Sequence, residues 1–193
     1  MRIVSLLPGA TELVCALGLA EHLVGVSHEC DFPPEVVAGL PRLTRSTLPE
    51  GLTDPAAIDA AVREKARRGE PLYVIDEAQL AALEPDLILT QALCEVCAVP
   101  MGQALRASGR LRRPPRVIAV NTYRMTDLFE ALQQIGEAAG VPKRAEDLLQ
   151  TWRRRLARVE DAVAGAPRPR LLLLEWLDPP FCCGHWVPEM VEI

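Results

Sequence analysis

The sequence predicts an α/β protein: a mostly parallel sheet lobe covered by helices, then a long backbone helix, then the start of a second α/β lobe. Three observations carry that expectation. Over the first 140 residues, apolar runs of strand length alternate with helical patterns. A single apolar stripe at helical spacing then runs from Pro142 to about Ala164. A fresh strand-length run, Leu171 to Glu175, follows the Gly/Pro break at 165–169.

Taken in order, Ile3 to Leu7 reads as the first strand. Thr11 to Leu19 reads as a helix, with Leu13, Val14 and Leu17 on one face and Thr11-Glu12 opening it. Leu23 to Ser27 is a second short strand. Thr53-Asp54-Pro55 supplies an N-cap and a proline at the first helical position. The helix that follows runs to Arg68 and stops at Gly69. Asp76 with Gln79 forms a capping-box pattern for a short helix ending near Glu84-Pro85. Asp86 to Thr90 and Arg116 to Val120 are apolar runs that read as buried strands. Thr126-Asp127 starts a helix whose Leu128, Leu132 and Ile135 share a face, and Gly140 closes it. In the long helix Leu149, Trp152, Leu156, Val159 and Val163 form one stripe. At 1.5 Å per residue it is on the order of 34 Å long. The chain ends in the first turns of a further helix.

Composition bounds the function. The 193 residues, 49% apolar and 24% charged, suit one ordinary domain and a remainder. A net charge of −5 and a pI near 5.3 argue against a nucleic-acid partner, which wants a basic face. Arg153-Arg154-Arg155 lies among acids in a helix and reads as a solvated face. No run approaches the roughly 20 apolar residues of a membrane span. The apolar run after Met1-Arg2 is too short for a secretory h-region and reads as a strand. Two compartments follow: cytoplasmic as written, or periplasmic or cell-surface with a start placed elsewhere.

The unusual residues gather in loops after the strands, where parallel sheets bind ligands. These loops are 8–11, 28–34, 91–97 and 176–186. Cys94-x-x-Cys97 is half of a soft-metal site that His28 or Cys30 completes in one reading. A redox dithiol is a second reading, and packed, unreactive thiols a third. His28 is either a metal or cobalt ligand, or a ring fixed by hydrogen bonds beside Glu29 and Asp31. Cys15, on an apolar helix face, reads as a small core residue. Trp176, Phe181 and Trp186 are three of only eight aromatics in the chain. They line a flat apolar ligand surface in one reading and a core in the other. No phosphate-binding glycine loop, nucleophile elbow or catalytic carboxylate pair is present, so nothing in the sequence points to an enzyme.

Several ordered segments carry a family resemblance. Ser5-Leu6-Leu7-Pro8-Gly9-Ala10-Thr11-Glu12, Leu17-Gly18, Gly25 to Pro33, Leu83 to Leu89, and Asp178-Pro179-Pro180-Phe181 with Gly184 are its carriers. Together they resemble the vitamin B12 and iron-chelate binding proteins of ABC importers, and most of all a cobalamin-binding subgroup. The resemblance implies a class III periplasmic-binding-protein-like fold: an N-terminal lobe at 1–140, a backbone helix at 141–165, and the beginning of a truncated C-terminal lobe at 166–193. It implies cobalamin or a related corrinoid held as a ligand, not as a catalytic cofactor, with an ABC importer permease as partner. A ferric chelate, haem or a bare soft metal is the alternative in the same cleft. The ligand-facing residues it implies are Pro8, Ser27, His28, Glu29, Tyr73, Cys94, Trp176, Phe181, His185 and Trp186, with His28, Cys30, Cys94 and Cys97 as the metal set. The first acidic docking position of such proteins falls at about Ala78, beside Glu77. An incomplete second lobe further implies self-association.

Overall fold

The computed structural model of the chain describes residues 1–92 and 99–193. The elements run β1 (Ile3–Ser5), α1 (Pro8–Ala16), β2 (Leu23–Val26), α2 (Pro34–Val37), β3 (Thr44–Ser46) and α3 (Pro55–Arg68). They continue with β4 (Tyr73–Ile75), α4 (Glu77–Leu83), β5 (Leu87–Thr90), α5 (Met101–Ser108), β6 (Arg116–Ala119) and α6 (Met125–Ala138). The last are α7 (Pro142–Val163), β7 (Leu174–Leu177), β8 (Pro180–Cys182) and α8 (Val187–Glu192). Packing groups them into two compact units, Met1–Glu50 with Val62–Asn121, and Gly51–Ala61 with Thr122–Ile193.

The first unit is built on a four-stranded sheet in the order β2-β1-β5-β6. Every pairing in it is parallel. All four residues of β5 are buried, as are all three of β1. Burial on both faces is why these strands read as continuous apolar runs and not as alternating ones. Val4 and Ile88 of the sheet pack with Leu6, Leu43, Leu80 and Val99 in one core cluster. Beside the sheet, β3 and β4 pair antiparallel, with Thr44 opposite Ile75 and Ser46 opposite Tyr73.

Helix ends follow local chemistry. Asp54 Oδ2 accepts the Ala57 N–H at 2.9 Å, and α3 stops before Gly69, whose φ is +66°. Asp76 Oδ1 accepts the Gln79 N–H at 2.8 Å. The reciprocal half of the expected capping box is not made. The Asp76 N–H donates instead to Leu43 O at 2.8 Å, and Gln79 Oε1 is left buried without a partner among the described residues.

Three expectations shift. Helix α1 begins at Pro8 instead of Thr11, because proline is accepted in a first helical turn. Thr11 lies buried inside that helix, and its hydroxyl donates to Leu7 O at 3.3 Å. Helix α6 begins one residue before Thr126, since Asp127 Oδ2 accepts the Tyr123 and Arg124 N–H groups at 2.7 and 2.8 Å. The strand expected at 171–175 is displaced to Leu174–Leu177, where it pairs with β8 in a hairpin.

In the second unit α6 packs on α7, and Gly136 of α6 faces Ala145 of α7. Helix α7 is 22 residues long. Its stripe is buried at Leu149, half-buried at Trp152 and Leu156, and exposed at Val159 (50%) and Val163 (43%). Among the described residues no helix is long and apolar enough to cross a membrane.

Candidate functional site

Strands β1 and β2 are parallel neighbours, so the loops that leave their carboxyl ends emerge side by side. Leu6 and Pro8 follow β1; Ser27, His28 and Glu29 follow β2. With Thr44, Tyr73 and Val99 they line one small recess. Five residues expected to face a ligand, Pro8, Ser27, His28, Glu29 and Tyr73, are therefore brought together here.

His28 is the fixed point of the recess. Its backbone N–H donates to Thr44 Oγ1 at 3.0 Å, and its Nδ1 is hydrogen-bonded to the same oxygen at 2.7 Å. The Tyr73 ring lies 5.5 Å away, tilted by 49°. Among the described residues Nε2 makes no hydrogen bond of good geometry, yet Glu29 Oε1 lies 3.1 Å from it. We read that contact as an off-axis electrostatic one. A carboxylate oxygen and a bare nitrogen lone pair repel at this separation, so the proton sits on Nε2. In the neutral ring Thr44 then donates its hydroxyl hydrogen to Nδ1 while accepting the backbone N–H. To bind a metal, Nε2 must release that proton, and Thr44 must turn to accept from Nδ1–H.

The turn itself is tied on the inside. Ser27 Oγ accepts the Glu29 N–H at 3.2 Å. The Arg42 guanidinium donates to Ser27 O at 3.1 Å and to Cys30 O. Cys30 is buried, its sulfur 3.1 Å from Thr11 Oγ1 and 3.3 Å from Ser27 Oγ, in a cluster with Val26 and Val37. His28 thus faces the recess, while Cys30, two residues on, faces the core. Cys94 and Cys97 lie outside the described residues. Among the described residues no three His, Cys, Asp or Glu side chains gather as a metal site. The Cys15 thiol is pushed up by burial first, then by Glu12 and Glu35, which keeps it protonated and unreactive.

The other expected ligand residues lie in the second unit. Trp176 and Phe181 are register partners in the β7–β8 hairpin. The Trp176 indole N–H donates to Asp178 O at 2.9 Å and Pro55 O at 3.3 Å. His185 has a left-handed φ of +56°. Its ring stacks at 6.0 Å on Tyr123 and lies 6.1 Å from Trp186. Close by in sequence, Glu189 accepts the Met125 N–H and the Arg124 guanidinium N–H, both at 2.7 Å. The Met125 N–H first, then Arg124, hold the Glu189 carboxyl below its ordinary range.

The sequence profile of the periplasmic binding protein family matches residues 3–187. The chain belongs to that family. A curated relative is an uncharacterized ABC transporter substrate-binding lipoprotein, YvrC of Bacillus subtilis, 24% identical over 161 residues. That match covers 83% of this chain and 41% of the relative. The periplasmic vitamin B12 binding protein BtuF of Vibrio cholerae superposes with a TM-score of 0.65 at 21% identity, over 96% of this chain and 60% of that one. The periplasmic heme-binding protein RhuT of Roseiflexus superposes with a TM-score of 0.61 at 23% identity, over 90% and 54%. At such identities these likenesses establish the fold alone. The chain spans about half the length of the relatives it matches.

In this chain three residues that the sequence did not single out complete the two groups. Thr44 holds His28, Arg42 holds the loop behind it, and Tyr123 stacks on His185. None carries a local sequence signal. Thr44 stands 16 positions from His28 and meets it only through the fold.

Proposed function

We propose that this chain is a ligand-binding part of an ABC-importer substrate-binding protein, and that its ligand is cobalamin or a related corrinoid. The observation that carries the reading is His28, held from behind by Thr44 and facing a recess at the carboxyl ends of two parallel strands. With Nδ1 held by Thr44, Nε2 is the nitrogen left for axial ligation of a chelated metal, once its proton is released and Glu29 moves aside. Family membership and the fold likeness to a B12-binding protein support it. In this reading Pro8, Ser27, Glu29, Tyr73 and Cys94 meet the ligand from the first lobe. Trp176, Phe181, His185 and Trp186 meet it from the second. The lobes divide as 1–140 and 166–193, with 141–165 as the connecting helix. The chain performs no reaction on its cargo, works on the outer side of the membrane, and delivers to a permease. It also associates with itself.

Titration with aquocobalamin tests the reading. As imidazole displaces the axial water, the visible bands shift, and His28→Ala abolishes the shift. An unchanged spectrum at high micromolar protein sinks the corrinoid proposal.

A second reading has its own support. Haem also takes an axial imidazole, the Tyr73 ring stands beside His28, and one fold relative is a heme-binding protein. A Soret shift with hemin, in a chain that ignores cobalamin, selects it. A ferric chelate or a soft metal held by His28, Cys94 and Cys97 predicts metal at one per chain in freshly purified protein, lost in Cys94→Ser. A dithiol redox role for Cys94 and Cys97 predicts insulin reduction above background.

A further inference from the structure

A concentration of arginines in the first unit lies at the end of the sheet opposite the His28 recess. Arg2 precedes β1, Asp86 precedes β5, and Arg112-Arg113 precede β6. Because these three strands are parallel, all four residues stand at one amino-terminal rim. There a recess of about 400 Å³ is lined by Arg2, Arg110, Arg112 and Arg113, with Glu84 and Asp86.

The arginines differ in how far they are engaged. Four guanidinium groups face two carboxylates. Asp86 is engaged by the Arg2 backbone N–H at 2.7 Å, and Arg2 Nε donates to Leu83 O at 2.6 Å. Arg110 pairs with Glu77 at 2.6 Å. Arg112 and Arg113 make no ion pair or side-chain hydrogen bond among the described residues. Helices α4 and α5 end at this rim, and each contributes at most about half a negative charge. Four guanidinium groups against Glu77, Glu84, Asp86 and the two helix ends come close to balance, so what the rim offers an anion is the pair Arg112 and Arg113, unpaired among the described residues.

The segment that carries the arginines is held in place. Leu111 packs against the core cluster, and its N–H donates to Ser108 O at 3.0 Å. Pro114 and Pro115 then restrict the backbone up to Arg116, whose N–H donates to Asp86 O at 2.9 Å. A stiff loop thus carries two arginines that line the recess, each with a guanidinium fork that can bind two phosphate oxygens.

We propose that this arginine-lined rim is a second ligand site, for a phosphate-type oxyanion. The anion is either a free phosphorylated solute or a phospholipid headgroup. It binds independently of the cargo recess, because the two lie at opposite ends of the strands.

The test uses the full chain. Calorimetric titration with inorganic pyrophosphate measures the free anion. Co-flotation with phosphatidylglycerol-containing vesicles, against phosphatidylcholine vesicles, measures the headgroup. Binding in either arm should fall at least about 10-fold in Arg112→Ala/Arg113→Ala and weaken with salt. Arg112→Lys/Arg113→Lys should recover only part, since lysine keeps the charge and loses the paired geometry. Circular dichroism confirms that both variants fold. Pyrophosphate binding without flotation assigns a soluble anion; flotation alone assigns a headgroup. No binding in either arm, or binding that the alanine variant retains, overturns the proposal.

Discussion

Thr44 and His28 form the most specific pairing in the candidate site. One hydroxyl serves both the backbone N–H and Nδ1 of the histidine, so its loss leaves two polar groups without a partner. Thr44→Val keeps the shape and removes the oxygen. It should cost about 1–3 kcal/mol of stability, the range for stranding a buried polar group. Where His28 ligates the cargo metal, affinity should also fall about 10- to 100-fold, as with other partners behind a ligand. Chemical denaturation and the aquocobalamin titration read the two effects separately. His28 was legible in the sequence because it stands with Glu29 and Cys30 in a loop after a strand. Its partner was not, because Thr44 arrives from a three-residue strand whose place is set by β4. Cys30 shows the converse limit. Its residue type suggested a ligand, but the turn closed by the Cys30 N–H on Ser27 O carries its sulfur to Thr11 and Ser27 on the core side.

Elements whose ends are written in local chemistry were readable nearly to the residue. Asp54 and Gly69 bound α3, and Pro142 opens α7. The β3–β4 pair and the displaced β7 were not readable, because pairing register depends on distant partners. The α6–α7 contact gives a test at this scale. A Cβ on Gly136 would lie 2.6 Å from Ala145 Cβ, an atom fixed to its backbone that cannot rotate away. Overpacking costs about 1–3 kcal/mol, and alanine's better helix propensity returns about 1. Gly136→Ala should therefore lower the urea midpoint, while Gly9→Ala, with nothing within 4 Å, should not. The link from α8 to the start of α6 is tested by pH. Glu189 has a depressed carboxyl pKa in the folded chain. Its contribution is complete above the ordinary carboxylate pKa and is lost as pH falls through the folded value. Glu189→Gln should be less stable than the parent at neutral pH, and the difference should shrink on acidification. A constant difference down the acid limb would exclude this linkage.

At the scale of the molecule, the second unit presents more apolar surface than a solvated face needs. Val159 and Val163 of α7 are about half exposed, and Leu171, Leu172, Met190 and Val191 are exposed by 46% or more. Val163, Leu171 and Val191 line one groove, so these three side chains lie together. Contiguous apolar patches of this kind mark association surfaces. The long helix was legible from its stripe of 3- and 4-residue spacings, but the stripe could not say that only its first half is covered. Self-association through this patch should appear in sedimentation velocity as a rise in mean coefficient with protein concentration. Val163→Glu with Leu171→Glu should keep the chain monomeric. Salt separates this contact from the arginine rim. Raising salt screens the repulsion between chains of net charge −5 and leaves apolar burial intact, so dimerisation should strengthen. Oxyanion binding at the rim should weaken under the same change. A sedimentation coefficient that stays constant with concentration and salt would show that this patch is left to solvent.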